Sequence, residues 1–137
     1  MDQDPEWTPP QYDKSEAERE HLMEKFKTNI LTKRVDEQHL KTLVDATQKR
    51  EFKAEDTLIK YGDPGEEWFI LDSGTLECVV QGQEEVFKKT INEGETFGEL
   101  ALLYDAPRSA TITALTDCSC WVIDRTTFKS IIMASAV

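Results

Sequence analysis

Glu99 and Arg108 stand nine residues apart in a run whose other members are small, apolar or turn-forming. The run reads Phe97-Gly98-Glu99-Leu100-Ala101-Leu102-Leu103-Tyr104-Asp105-Ala106-Pro107-Arg108-Ser109-Ala110-Thr111. Its residue types suit the capture of a small anion. Gly98 lacks a Cβ and lets a backbone come close to a ligand. A short apolar helix beginning there presents unpaired N–H groups and a positive dipole end. Arg108 offers a planar fork of donors that matches two phosphate oxygens. Ser109 and Ala110 are small enough for a ligand to rest against the main chain. Glu99 repels a phosphate, so its place in the cradle requires a different ligand group, such as a sugar hydroxyl that donates to it. A sugar beside a phosphate describes a nucleotide. The competing reading of an isolated Glu and Arg is plainer, with Glu99 solvated on a helix and Arg108 paired with Asp105 at the surface.

The pieces Phe97-Gly98-Glu99-Leu100-Ala101-Leu102 and Pro107-Arg108-Ser109-Ala110-Thr111 together resemble the phosphate-binding cassette of the cyclic nucleotide-binding domain family. Within that family the chain is most similar to a regulatory subunit of cAMP-dependent protein kinase, in its first nucleotide-binding domain. The resemblance spans roughly residues 15–133. It implies that Arg108 takes the cyclic phosphate and Glu99 the ribose 2′-hydroxyl. Backbone N–H groups near Gly98, Ala101 and Ala110 complete the cradle, with Leu100 and Ser109 beside them. It also implies that Asp72, at a strand end before Ser73-Gly74, pairs with the cassette arginine. The residue-level alternative for Asp72 is a turn acid bonded to its own backbone.

Two positions depart from the family pattern. Residue 109 is commonly Ala in cAMP-preferring sites and Thr in cGMP-preferring ones, and here it is Ser. Asp105 stands where Gly or Asn is usual, as a turn cap or as a competitor for Arg108. Ligand preference is therefore open between cAMP and cGMP, with cAMP favoured by the overall resemblance. A cGMP-dependent protein kinase regulatory domain is the nearest alternative. The resemblance further implies that the cassette docks on a kinase catalytic subunit, with Tyr104 taking part, and that ligand shifts the chain away from the docked state. The plain reading of Tyr104 is packing on the adjacent strand. No inhibitor-type Arg pair precedes the domain. The family's hydrophobic lid is expected to be cut short after Met133. No catalytic activity and no cofactor other than the nucleotide ligand are expected. A metal-dependent jelly-roll enzyme needs histidines on inward strand positions, and His21 and His39 both precede the strands. An interaction module that has lost its ligand is disfavoured by the intact Glu99 and Arg108.

The net charge of −11 over 137 residues argues against a nucleic-acid backbone as partner. It leaves room for a small anion, because distant surface charges are screened beyond about 8–10 Å at physiological salt. No run approaches the ~20 apolar residues that span a bilayer, and the acidic N-terminus lacks a signal stretch. Cys78, Cys118 and Cys120 fit neither a zinc cluster nor a disulfide framework. They read as free thiols of a cytoplasmic protein.

Positioning the cradle falls to the rest of the chain. Residues 1–14, with Pro5, Pro9 and Pro10, read as an extended, mobile, acidic arm in which Trp7 and Tyr12 are the candidate docking groups, and residues 15–137 as one domain. Ser15 and Glu18 form a capping-box pattern for a helix to about Leu31, with Leu22, Met23, Phe26 and Ile30 as its apolar face. Asp36 caps a second helix that buries Leu40, Leu43, Val44 and Thr47. After Arg50 the period falls to two, with strands at Phe52, at Leu58-Ile59 and over 68–72, 75–80, 85–91, 111–115 and 119–123, separated by Gly-rich turns that include a hairpin at 81–83. Asp124 caps a last helix from Arg125 to about Met133, whose apolar face is Phe128, Ile131 and Ile132. Residues alone predict a β-sandwich flanked by helices. The resemblance sharpens this to a mainly β fold, an eight-stranded β-roll of jelly-roll type with N-terminal helices, an inserted cassette helix and a C-terminal helix.

Overall fold

The computed structural model describes residues 8–81 and 86–135. Their elements run α1 (Glu16–Thr28), α2 (Glu37–Ala46), β1 (Gln48–Phe52), β2 (Thr57–Ile59), β3 (Glu67–Ser73), β4 (Leu76–Gln81), β5 (Val86–Ile91), β6 (Thr96–Phe97), α3 (Leu100–Leu103), β7 (Ala110–Ala114), β8 (Cys118–Asp124) and α4 (Arg125–Ser135). The expected eight strands and inserted helix are present. Trp7, Pro5, the hairpin turn at 82–85, Ala136 and Val137 lie outside the described residues. By internal packing the described chain forms two units, residues 8–48 with 126–135, and residues 49–125.

In the first unit, the Ser15 hydroxyl accepts from the Glu18 N–H, and the Glu18 carboxylate accepts from the Ser15 N–H. This reciprocal cap satisfies two of the donors that a helix start leaves open. Ser15→Ala is expected to lower the stability of this unit by about 1 kcal/mol, measured by chemical denaturation followed at the helical circular-dichroism band. α1 buries Leu22 and Phe26 as expected but stops at Thr28, three residues short of Leu31. Asn29 leaves the helical conformation, so the next residue no longer continues the apolar stripe, and Ile30 is 79% exposed. Thr32 takes the inward place instead, fully buried with its hydroxyl donating to the Phe26 carbonyl. α2 is capped by Asp36 and buries Leu40, Leu43 and Val44, and Thr47 follows it inward with its hydroxyl on the Leu43 carbonyl. Residues 8–14 carry no helix or strand, yet Tyr12 is fastened, its N–H donating to the Asp45 carbonyl at 2.9 Å. Lys14 Nζ donates to the same carbonyl. His21 is exposed, and His39 Nδ1 sits 2.8 Å from an Asp36 carboxylate oxygen. α4 runs two residues past the predicted Met133 and buries Phe128 and Ile131, with Ile132 half-buried.

The second unit is a roll of two four-stranded sheets, ordered β1-β8-β3-β6 and β2-β7-β4-β5. β3 and β8 are antiparallel partners at the centre of the first sheet, and both read as nearly unbroken apolar runs because both of their faces are covered. β7 alternates instead, burying Ile112 and Ala114 while Thr111 and Thr113 are half-buried. The core between the sheets gathers Ile59, Phe69, Leu71, Leu76, Ile91, Phe97, Ile112 and Val122. Phe69 and Phe97 stack with centroids 4.9 Å apart, an offset aromatic contact that fixes the strand leading into the cradle. Cys78, Cys118 and Cys120 are free and buried. Burial pushes the Cys120 thiol up to about 12, so it stays protonated and unreactive at neutral pH.

Candidate functional site

The cradle begins where β6 ends. Gly98 has φ +85°, a conformation open to glycine and strained for other residues. A Cβ there would lie 2.9 Å from the Glu67 carbonyl oxygen and 3.0 Å from Arg108 Nη1. The glycine therefore sets both the turn and the space for the arginine. Glu99 follows as the residue preceding α3, and its carboxylate accepts from the Thr96 hydroxyl, which aims it back across the turn. α3 is a single turn. The Ala101 N–H donates to the Gly98 carbonyl at 3.1 Å and the Leu102 N–H to that of Glu99 at 3.0 Å. Ala101 thus spends its N–H closing the helix instead of holding it toward the cavity, as the resemblance had implied.

Arg108 is held by its main chain and by its side chain. Its N–H donates to the Asp63 carbonyl at 2.8 Å and its carbonyl accepts from the Gly62 N–H at 2.9 Å. These bonds, with a bridge between Pro64 and Pro107, tie the 61–65 turn to the loop before β7. The side chain then crosses Gly65, where a Cβ would come within 2.3 Å of Nε. Nη2 donates to the Glu67 carbonyl at 2.8 Å. Gly65 was legible in sequence only as a turn glycine, and its role as the floor under the arginine emerges from the fold.

The charge balance around Arg108 is lopsided. Glu67 is the nearest acid along its path, but the Glu67 carboxylate is gripped in parallel by Arg50, at 3.0 and 2.8 Å. No carboxylate among the described residues forms an ion pair with Arg108. Burial lowers its pKa and the Glu67 charge raises it, the burial cost being the larger. A guanidinium stays ionised under any such shift. It is a half-buried cation whose protein partner is a neutral carbonyl.

One cavity of about 290 Å³ receives this charge. Gly98, Glu99, Leu100, Ala101, Arg108, Ser109 and Ala110, all seven residues expected to bind ligand, line it. Its wall is apolar, built from Ile59, Val80, Ile91, Phe97 and Ile112 with the Cys78 side chain. Lys89 also lines it, and nothing in the sequence marked that lysine out. A cation, a carboxylate and an apolar wall lining one cavity have the chemistry to seat a phosphate, a sugar and a flat base.

Asp72 is not part of this arrangement. It accepts from Ser119 Oγ and Trp121 Nε1, both at 3.2 Å, and stands 3.8 Å from Lys49 Nζ. The expected pairing with Arg108 fails because Asp72 lies near the end of β3, whereas Arg108 bonds at Glu67, its first residue. Five residues of extended strand separate the two by about 16 Å. Asp105 does not compete for Arg108 either, since it faces Arg125 at 3.8 Å. Arg125 Nη1 also donates to the Tyr104 carbonyl at 3.1 Å and pins the end of α3. The Tyr104 side chain is largely open to solvent. It is 61% exposed, as are much of Leu100 and Leu103 on the same turn.

Comparison with known proteins agrees with this geometry. The family model described as Cyclic nucleotide-binding domain matches residues 49–135. The chain is 38% identical over 129 residues to a cAMP-dependent protein kinase regulatory subunit of Debaryomyces hansenii, covering 93% of this chain and 28% of that protein. Among solved structures, the regulatory domain of Toxoplasma gondii PKA with cAMP is 38% identical with a TM-score of 0.78, over 90% of this chain and 48% of that one. The regulatory subunit of a cAMP-independent protein kinase A from Trypanosoma cruzi, bound to guanosine, is 28% identical with a TM-score of 0.78, over 96% and 46%. The chain thus spans less than a third of the curated relative and under half of either solved chain.

Proposed function

The chain belongs to the cyclic nucleotide-binding domain family, and from that premise we propose that it is a cAMP-binding regulatory domain that controls a protein kinase catalytic subunit. The observation that carries this reading is Arg108, a half-buried guanidinium without a carboxylate partner in the lining of the cavity to which all seven expected residues contribute. A cyclic phosphate supplies the missing anion in two hydrogen bonds. Glu99, already oriented by Thr96, accepts from the ribose 2′-hydroxyl. The domain binds and releases its ligand without turnover. Ligand stabilises one arrangement of the cassette over another, and the population shifts by the difference in affinity for the two.

The exposed side chains of Leu100, Leu103 and Tyr104 on α3 form the contact offered to the kinase. Arg125 ties that turn to the residue before β3, its side chain donating to the Tyr104 carbonyl and its N–H to the Glu66 carbonyl. We place the domain in the cytoplasm. No helix among the described residues is long and apolar enough to cross a membrane.

A second reading, a regulatory domain of a cGMP-dependent kinase, is supported by Ser109, whose hydroxyl can accept from the guanine exocyclic amine, and by 33% identity to such a kinase of Drosophila melanogaster over 128 residues. Calorimetric titration with cAMP and cGMP in parallel separates the two. Binding of cAMP at least as tight as that of cGMP supports the first. A strong cGMP preference transfers the assignment.

The ribose contact is tested separately. Glu99→Ala is expected to weaken cAMP by roughly tenfold or more, from a charged hydrogen bond worth about 1.5–3 kcal/mol. The same substitution should leave 2′-deoxy-cAMP nearly unchanged, since the coupled partner is already gone. Equal losses for both ligands would show that Glu99 acts elsewhere.

A further inference from the structure

We propose that Arg50 is a positioning residue for the phosphate site, holding the Glu67 carboxylate off Arg108 so that the arginine stays open to the anion. The inference rests on the nucleotide reading above and adds to it a residue that lies outside the cavity.

The sheet places Arg50 and Glu67 on one face. Glu67, Phe69 and Leu71 alternate along β3, and Phe69 and Leu71 belong to the core. Glu67 is therefore on the core side of the strand. On β1, Arg50 is two residues from Phe52, which packs against the same core. β8 lies between β1 and β3, so the two strands are roughly 10 Å apart. The two side chains close that gap with paired bonds, Arg50 Nη1 donating to Glu67 Oε1 at 3.0 Å and Nη2 to Oε2 at 2.8 Å.

Glu67 also holds Arg108, but by its carbonyl, which accepts from Nη2 at 2.8 Å. Glu67 and Arg108 line a common groove of about 520 Å³. A released carboxylate has room there, and a change of rotamer carries it toward a guanidinium already bonded to its own main chain. With Arg108 it would form the parallel pair it now forms with Arg50, using the same donors that a phosphate needs. The Glu67 charge already acts on Arg108, favouring its ionised form. The Arg50 and Glu67 side chains are 37% and 34% exposed, and a pair so open to water adds little to folding. What Arg50 decides is where the Glu67 charge rests. Lys60 lines the same groove and is the other cation that a freed carboxylate could meet.

The test titrates the whole chain with cAMP by calorimetry, beside Arg50→Met, Arg50→Lys, Glu67→Gln and the Arg50→Met/Glu67→Gln pair. Arg50→Met is expected to weaken cAMP about tenfold, the scale of one charge-assisted hydrogen bond. Arg50→Lys keeps a cation on the carboxylate and should keep most of the affinity. In the Glu67→Gln background the effect of Arg50→Met should vanish, because no competing charge is left. Thermal unfolding checks that each variant is folded. No loss in Arg50→Met overturns the proposal, and means that the freed carboxylate goes to Lys60 or to water. A loss of equal size in the Glu67→Gln background overturns it too, as the mark of a merely structural role. Either result leaves the nucleotide reading standing, as long as the wild type binds cAMP and Arg108→Ala loses it. If the folded wild type does not bind cAMP, that reading falls, and this inference with it.

Discussion

Arg108→Ala is expected to lower cAMP affinity by two to three orders of magnitude while the protein remains folded. Two charge-assisted hydrogen bonds at about 1.5–3 kcal/mol each set that scale. The cost to folding is small by comparison. Arg108 contributes one hydrogen bond to the Glu67 carbonyl, and its alkyl stem crosses Gly65. The main-chain bonds to Asp63 and Gly62 survive the substitution. Arg108→Lys separates charge from geometry. A lysine keeps the cation but loses the planar fork, so it should recover only part of the affinity. Calorimetry gives the affinities, and the far-ultraviolet spectrum checks the fold. Full rescue by lysine would mean that the site needs only a positive charge.

The second large effect is on stability. Phe69→Ala should destabilise the strand unit by about 3–5 kcal/mol, the usual range for removing a buried aromatic ring. Phe69 is 1% exposed, lies in β3 between β8 and β6, and stacks on Phe97. Its ring edge also stands 3.6 Å from where a Gly98 Cβ would be. The cavity should therefore reach past the fold to the ligand site, with the Phe97-Gly98 turn loosened and cAMP bound more weakly in proportion. Chemical denaturation measures the first effect and titration below the unfolding transition the second. Unchanged affinity in a destabilised variant would show that the cradle holds its shape without the aromatic stack.

Much of this site was legible because its motif is local. Gly98 through Ala110 form one continuous run, and folding it as a turn, a single helical turn and a return loop brings its ends to one cavity. What depends on distant strands was not legible. Asp72 was expected to partner Arg108 on the family resemblance alone, and residue type does not say which end of β3 faces the arginine. Gly65 and Glu67 escaped notice because their contacts to Arg108 cross about forty residues of sequence. Their roles use backbone and empty space, which leave no side-chain signature. Lys89 sits beside another lysine on a strand with a polar, alternating pattern, and only the pairing with Cys78 shows which of the two faces the cavity. Ile30 failed for the opposite reason. The helical spacing continues on paper, but Asn29 leaves the helix and the stripe ends with it.

The central claim is that Arg108 holds a phosphate, and the most direct test compares cAMP with adenosine on the unmodified chain by calorimetric titration. The two ligands share base and ribose and differ in the anion. The geometry predicts saturable binding of cAMP and adenosine weaker by at least two orders of magnitude, with the difference abolished in Arg108→Ala. Adenosine binding as tightly as cAMP would contradict it, and would place the recognition in the apolar wall and Glu99 instead of the arginine.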